Sequence, residues 1–310
     1  MKIRWSSVVI VLAVTLGLLL SACAPAQTPA TVAPAASAAA GLKLTVFAAS
    51  SLTDAFNEIG QAFGAEHSGV TVEFNFAGSQ QLRTQLEQGA TADVFASANT
   101  TELNNAIKSG LIVSGTQQTF VRNRLAVIVP KDNPGSIKDL KDLAKPGLKI
   151  VLAAASVPVG GYALTVLNKM NVDFGATFSQ TVIANVVSYE DNVKQVVAKV
   201  QLGEADAGIM YTSDVTPAVA DKLIQIDVPD KYNVLATYPI AALKSAPQSE
   251  LAKAFVDYVL SDKGQAVLQK WGFIPAKQST SSAPAQPVAS GSAIQVDGCA
   301  RSSSDIPKAA

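Results

Sequence analysis

One strand-to-helix junction decides the fold of this chain: Phe47-Ala48-Ala49-Ser50-Ser51-Leu52-Thr53-Asp54-Ala55-Phe56. A strand-like apolar run at 42–47 precedes it, and apolar residues at helical spacing follow it, at Phe56, Ile59 and Phe63. Ser51 and Asp54 have the Ser-x-x-acid spacing of a capping box, so we predict that Ser51 caps the helix. A helix N-terminus with hydroxyl groups beside it is a ready site for an anion. The stretch therefore predicts an anion site at the end of a strand.

The composition restricts the classes of protein that fit. A chain of 310 residues with 48% hydrophobic content can fill the cores of two modest domains. Lysine plus arginine and aspartate plus glutamate balance at 24 each, so we expect no nucleic-acid partner. A single histidine, His67, argues against a histidine-rich zinc site and a histidine-based catalytic triad. Cys23 and Cys299 lie near opposite ends and predict neither a disulfide framework nor a metal cluster.

The N-terminus has the form of a secretory signal. Lys2 and Arg4 precede an apolar run at 8–20, which is shorter than the roughly 20 residues of a spanning helix. We therefore treat residues 1–22 as a signal peptide and exclude them from the fold. The stretch Leu20-Ser21-Ala22-Cys23 at its end resembles the lipobox of bacterial lipoproteins, which implies cleavage of the signal peptide before Cys23 and lipidation of the Cys23 thiol. The alternative is an ordinary signal peptide with an incidental cysteine.

Two biased segments flank the central part of the chain. Residues 24–41 are rich in alanine, proline, threonine and serine and show no periodicity, so we predict that 23–41 is a lipidated cysteine with a disordered tether. Residues 277–310 are again rich in serine, alanine and proline and are predicted to be a disordered tail. Cys299 in that tail has no assigned role.

Between the flanks, strand-like and helix-like segments alternate. The strand-like segments are 42–48, 70–76, 92–97, 120–129, 148–154, 181–187, 206–210, 223–228 and 236–243. The helix-like segments are 52–65, 79–88, 100–109, 136–144, 160–170, 192–202, 249–260 and 262–270. This alternation predicts an α/β fold with mostly parallel sheets flanked by helices. In such sheets ligands bind at the carboxyl ends of the strands.

Two strand-like segments, 124–130 and 238–243, are candidates for crossings between two lobes. If both cross, residues 42–122 plus 244–276 form the first lobe, and residues 123–243 form the hinge strands and the second lobe. The alternative is two sequential domains joined by one linker.

A second junction repeats the first. The strand-like run 72–76 leads through Ala77 and Gly78 to Ser79, where an N-cap is expected. Gly78 permits a close approach of the backbone. Taken alone, each serine is better explained as a helix cap than as a ligand group. A capping hydroxyl accepts an N–H through its oxygen and keeps its own proton for an anion, so the two roles are compatible.

Two further junctions lie in the predicted second lobe. The strand-like segments at 148–154 and 181–187 lead to helices that begin near Val159 and Val193. Neither helix begins at a serine or threonine, so a ligand there would be held by the backbone N–H groups of the two valines, for which plain core packing is the alternative. Tyr211 ends the strand-like segment at 206–210 and can project its phenol into the same cleft or simply edge the core.

Taken together, these stretches resemble the periplasmic molybdate-binding proteins of ABC transporters, a family with the type II solute-binding fold. The resemblance covers about residues 43–276. Its marks are Val46–Leu52, Phe76–Ser79, Ala92–Ala98, Val157–Ala163, Asn192–Gln195 and Gly203–Tyr211. By motif position it implies that the oxyanion is held by the hydroxyls of Ser51, Ser79 and Tyr211 and by the backbone amides of Val159 and Val193.

The resemblance also implies a function. It implies a monomeric, extracytoplasmic binding protein, anchored to the membrane through Cys23, that captures molybdate or tungstate and delivers it to a permease. No catalytic residue, no cofactor and no direct protein ligand to molybdenum are expected. One alternative is another oxyanion, such as sulfate or phosphate. A serine hydrolase is a further alternative, although the chain has no Gly-x-Ser-x-Gly elbow. A cation-binding protein would need histidines or clustered carboxylates.

Overall fold

The computed structural model describes residues 41–276, so the predicted signal, Cys23, the tether up to residue 40 and the tail lie outside the described residues. The strands are β1 (Leu42–Ala49), β2 (Val70–Ala77), β3 (Val94–Ala96), β4 (Gln118–Asn123), β5 (Leu125–Pro130), β6 (Ile150–Ala153), β7 (Val186–Glu190), β8 (Ala207–Tyr211), β9 (Leu223–Asp227), β10 (Ala236–Ala242) and β11 (Ile274–Pro275). The helices are α1 (Thr53–Glu66), α2 (Ser79–Glu87), α3 (Thr100–Lys108), α4 (Pro158–Phe174), α5 (Phe178–Ala184), α6 (Val193–Gln201), α7 (Ser249–Leu260) and α8 (Asp262–Lys270). Short 3-10 turns lie at Ser50–Leu52, Leu140–Ala144 and Thr212–Asp214.

The strands form two sheets, which confirms the predicted α/β class. One sheet has the order β11-β4-β10-β3-β1-β2, and the other has the order β7-β6-β8-β5-β9. We call the elements packed on them the first and the second lobe, respectively. Both sheets are mixed. The expected parallel pairing holds for β1 with β2 and β3 and for β6 with β7 and β8, whereas β4, β5, β9, β10 and β11 pair antiparallel.

The chain passes between the two sheets twice, and each time it does so in a short connection. The first connection is at Arg124, between β4 and β5, and the second is the segment 228–235, between β9 and β10. The prediction of one continuous strand at 120–129 is therefore wrong. Asn123 breaks it, because its side chain accepts from the N–H of Arg124 (2.9 Å) and donates to Ser213 Oγ (2.7 Å). The residue ranges given for the two lobes stay a prediction.

The predicted strand at 181–187 is also wrong, because residues 178–184 form α5 and the strand begins only at Val186. The β-branched residues there favour a strand by local propensity. Tertiary contacts override this preference: Phe178 and Val182, four residues apart, are buried, and Asn171 of α4 accepts from the N–H of Ser179 (2.8 Å). The predicted helix at 136–144 is reduced to the turn at Leu140–Ala144.

An aromatic cluster fixes the opening junction against the first sheet. Phe56 of α1 is fully buried and its ring lies about 6 Å from the rings of Phe74, Phe120 and Phe255. Burying such rings contributes about 1.5–3 kcal/mol each, so the start of α1 is held firmly at the carboxyl end of β1. Within residues 41–276, no helix has the length and apolar character that a membrane crossing requires.

Candidate functional site

The structure brings the five residues predicted to bind an anion to one small pocket between the lobes. Its lining comes from the ends of β1, β2 and β8, the starts of α2, α4 and α6, and the loop after β3, and consists of Ala49, Ser50, Ser51, Ala77, Gly78, Ser79, Ala98, Val157, Pro158, Val159, Val193 and Tyr211. The pocket volume is about 10 Å³. Sites for drug-sized organic ligands have about 300–1,000 Å³, so the space is far too small for such a ligand.

Ser51 lies in the 3-10 turn that precedes α1, not at a helix cap. No side chain caps α1, and the predicted capping box of Ser51 and Asp54 is therefore wrong. Each side chain has a partner far along the sequence instead: Ser51 Oγ lies 3.0 Å from the hydroxyl of Tyr238, and Asp54 pairs with Lys194. The contact with Tyr238 fixes the Ser51 hydroxyl at the pocket wall.

Ser79 is the first residue of α2, and Gly78 occupies the N-cap position where Ser79 was predicted. The Ser79 hydroxyl is buried and accepts from the N–H of Ala98 at 3.0 Å. Because a hydroxyl has one proton and two lone pairs, its proton remains available to a ligand. The donor role of Ser79 stays a prediction, and its structural partner is Ala98 rather than its own helix.

The second lobe presents two helix starts to the pocket. Val159 is the second residue of α4, after Pro158, and Val193 is the first residue of α6, after the N-cap Asn192. The first N–H groups of a helix have no acceptor within it and carry partial positive charge. Both valine side chains are buried in the core, so only their backbone is left for the pocket. Core packing and anion binding are compatible here.

Tyr211, the last residue of β8, supplies a hydroxyl group that lacks a partner. Its oxygen is buried and makes no hydrogen bond within residues 41–276. Burial, together with the neighbouring Tyr238 and Tyr162, holds the pKa of the Tyr211 phenol well above its ordinary value. The group therefore stays protonated as a donor. A buried donor without an acceptor is unfavourable, which indicates that a ligand belongs beside it.

Two groups near the pocket were not predicted from the sequence. Tyr238 contacts Ser51 across 187 residues, and no local pattern marks it. Lys194 forms an ion cluster with Asp54 and Asp214. Lys194 lies inside the Asn192–Gln195 motif, from which only the role of the Val193 amide was predicted.

His67, the single histidine of the chain, lies away from the pocket. His67 lies just past the C-terminal end of α1, and its ring is 4.0 Å from that of Phe63. The 14 residues of α1 separate it by about 20 Å from Ser51, so it does not serve as a base for that serine. Residues 41–276 contain no cluster of three or more histidine, cysteine, aspartate or glutamate side chains suited to a metal ion.

Comparison with known proteins finds a matching family, a sequence relative and a similar solved structure. Residues 44–274 match the family model of the bacterial extracellular solute-binding proteins. The molybdate-binding protein ModA of Mycobacterium tuberculosis is 39% identical over 240 residues, which cover 77% of this chain and 87% of that protein. The substrate-binding domain assigned to a molybdenum ABC transporter from Clostridium difficile is 31% identical, with a TM-score of 0.58, over 76% of this chain and all of that one.

A third relative shows the fold alone. The sulfate-binding protein SubI of Mycobacterium tuberculosis has a TM-score of 0.68 at 17% identity, over 76% of this chain and 87% of that one. These matches agree with the predicted type II periplasmic-binding-protein fold. The chain belongs to the family of bacterial extracellular solute-binding proteins.

Proposed function

We propose that this chain is the substrate-binding component of an ABC importer, that it captures molybdate between its two lobes, and that it delivers the ion to a membrane permease. The observation that carries the proposal is the convergence of Ser51, Ser79, Val159, Val193 and Tyr211 on one small pocket. The relatives that are 39% and 31% identical bear names that refer to molybdate or molybdenum.

The energetics of the pocket suit a tetrahedral dianion. Burying such an ion is costly unless donors surround it. Each hydrogen bond to a charged group contributes about 1.5–3 kcal/mol, and each helix N-terminus adds about 0.3–1 kcal/mol. Micromolar affinity needs about 8 kcal/mol, so several converging donors suffice. No counter-cation and no protein ligand to molybdenum are needed.

The other parts of the proposal follow the family. Solute-binding proteins of ABC importers act outside the cytoplasm, and this chain is proposed to do so as a monomer without catalytic activity or cofactor. Its lipobox-like Leu20–Cys23 supports a lipid anchor at Cys23. Docking of the closed form on the permease would complete the delivery.

A thermal-shift and calorimetry panel of molybdate, tungstate, sulfate and phosphate tests the proposal. We expect molybdate and tungstate to raise the melting temperature strongly and to bind with micromolar or tighter affinity. Because tungstate has nearly the same size and charge as molybdate, the two should compete for one site. Sulfate is smaller and should fit a rigid cage of donors less well.

Sulfate is the second candidate ligand, because the sulfate-binding relative has the same fold. If sulfate binds more tightly than molybdate, the importer proposal holds and the assignment of its ligand is wrong. If none of the four anions binds, the proposed function itself is wrong.

A further inference from the structure

The first lobe holds the start of α6 and the two residues before it, a segment that spans 191–194, on both sides. On one side, Gln80 Nε2 of α2 donates to the Asp191 carbonyl at 3.1 Å. On the other side, Lys194 Nζ lies 2.8 Å from Asp54 Oδ2 of α1. Val193, whose amide is predicted to bind the anion, lies between these two contacts.

Lys194 has a second carboxylate partner on its own lobe. Its ammonium lies 3.4 Å from Asp214 Oδ1, in the 3-10 turn after β8. Asp214 is 1% exposed, and within the described residues neither carboxylate oxygen makes a hydrogen bond. Burial raises the pKa of Asp214 to about 6, even though Lys194 acts in the opposite direction. Lys194 is thus the charge that makes an ionised Asp214 tolerable in the interior.

The charge state of Lys194 follows from the same contacts. Burial acts to lower its pKa, but the carboxylates of Asp214 and Asp54 outweigh burial and hold the pKa above the ordinary value. The side chain is therefore a permanent cation. When the lobes separate, it keeps Asp214 as a partner and loses only Asp54.

We propose that Lys194 is a closure residue: Asp214 positions it on the second lobe, and its pairing with Asp54 across the cleft slows the release of the bound oxyanion. The inference rests on the function proposed above. Asp54 is three residues after Ser51, and Lys194 directly follows Val193. The ion pair therefore aligns the two halves of the anion cage as they close.

The closure role makes a prediction about rates. A cross-lobe contact that forms only after the ion has entered acts on dissociation, so kon should stay nearly unchanged while koff rises. The side chains of Lys194 and Asp54 are 31% and 36% exposed, and ion pairs in contact with water are weak and screened by salt. The expected effect is therefore about fivefold.

The test is Asp54→Asn, with molybdate release measured by stopped-flow displacement with excess tungstate. We expect koff to rise about fivefold and kon to change by less than about twofold. In the unaltered protein, release should accelerate as salt is raised, and the variant should lose most of that dependence. Asp54→Glu keeps the charge and should restore part of the slow release.

Glu58→Gln is the matched control. Glu58 lies on the same helix and pairs with Lys270 at 2.8 Å, but both residues belong to the first lobe. The change in net charge is identical, and koff should stay at the value of the unaltered protein. The ligand-free melting temperature of Asp54→Asn should equal that of the unaltered protein, because the cross-lobe pair is broken when the protein is open.

The outcomes separate the two proposals. If the unaltered protein binds molybdate and Asp54→Asn releases it at the same rate as Glu58→Gln, the closure role is wrong and the proposed function stands. If Asp54→Asn lowers the ligand-free melting temperature relative to the unaltered protein, the pair serves the fold and the closure role is wrong. If the unaltered protein binds none of the four anions, both proposals fail.

Discussion

At the scale of single residues, the hydroxyl of Tyr211 is the most informative group of the site. Every other predicted donor has a role without ligand: Ser51 contacts Tyr238, Ser79 accepts from Ala98, and the two valines begin helices. The Tyr211 hydroxyl has no partner within residues 41–276. An unpaired buried polar group costs about 1–3 kcal/mol. Its only evident benefit is to a bound ligand.

Tyr211→Phe should therefore separate stability from binding. We expect the ligand-free protein to keep or gain stability, because the unpaired hydroxyl is removed and the ring stays. Molybdate affinity should fall by about 2 kcal/mol, or roughly 30-fold, because one hydrogen bond to a charged group is lost. Chemical denaturation and calorimetry measure the two effects.

Tyr232→Phe is the control for Tyr211→Phe. The Tyr232 hydroxyl donates to Asp173 at 2.5 Å, away from the pocket. Its loss should lower stability and leave the affinity unchanged. Equal affinity for Tyr211→Phe and the unaltered protein would contradict the donor role.

Ser51→Ala should weaken molybdate binding by about 2 kcal/mol, again roughly 30-fold. Ser50→Ala tests the neighbouring position, because Ser50 also lines the pocket and the two serines are adjacent. We expect a smaller effect there, since within residues 41–276 the Ser50 hydroxyl has no contact comparable to that of Ser51 with Tyr238. Calorimetry on both variants measures the two losses of affinity. If Ser50→Ala weakens molybdate binding more than Ser51→Ala does, the ligand-binding role belongs to Ser50.

At the scale of elements, the site depends on helix starts and the turns that bring them together. The starts of α2 and α6 approach each other at Gly78, whose backbone is close to the Asp191 carbonyl. A Cβ added at Gly78 would lie 2.5 Å from that oxygen, which is a backbone atom and cannot simply rotate away. Glycine at this position therefore permits the contact between the lobes.

Gly78→Ala should impair closure without impairing folding. Its φ of −61° is open to any residue, so no backbone strain arises. The ligand-free protein should gain up to about 1 kcal/mol from the less flexible unfolded chain. Molybdate affinity should fall by about tenfold or more, because the lobes close only if the backbone shifts.

Gly64→Ala in α1 is the matched control for that experiment. Its added Cβ would lie 3.1 Å from the Val70 carbonyl, within the first lobe. Binding should be unaffected. Unchanged affinity for Gly78→Ala would mean that the approach of Gly78 to Asp191 is not needed for closure.

At the scale of the whole molecule, buried asparagines hold both connections between the lobes. Asn123 contacts the N–H of Arg124 at the first connection. Asn233, in the second connection, accepts from the N–H of Leu125 (3.0 Å) and donates to the carbonyls of Leu125 and Val228. The two connections are thus tied to the start of β5, where an opening motion would pivot.

The titration of Asp214 should give the stability of the whole molecule an unusual dependence on pH. Its pKa in the folded protein, about 6, is raised above the ordinary value of 3.8. Its contribution to stability is therefore fully present below pH 4 or so and is lost as the pH rises through about 6. Most carboxylates act in the opposite direction.

Asp214→Asn removes only the contribution of Asp214 to the pH dependence of stability. The other charged and titratable groups that face Asp214 remain, namely Lys194, Asp54, Tyr211 and Tyr238. We expect the variant to gain stability relative to the unaltered protein between pH 5 and pH 7.5, as measured by urea denaturation. A difference in unfolding free energy that does not change over this range would show that Asp214 does not titrate near pH 6.

Local sequence signals predicted much of the fold and the site. Small residues between an apolar run and helical spacing marked the junctions at Ser51 and Ser79, and the structure brings all five predicted residues to one pocket. The helix caps were assigned wrongly, because the hydrogen bonds of these serines go to Tyr238 and Ala98 rather than to their own helices. Helix α5 was missed because packing by Phe178 and Val182 overrides propensity.

The alternation of strands and helices and the residue types at their junctions follow from the amino-acid sequence alone, because hydrophobic period and turn chemistry are local. The places where the chain changes sheets and the charges that meet across the cleft depend on tertiary packing. The ion cluster joins residues 140 positions apart, from Asp54 to Lys194. Such partners become neighbours only when both sheets have formed and packed, so no local pattern specifies them.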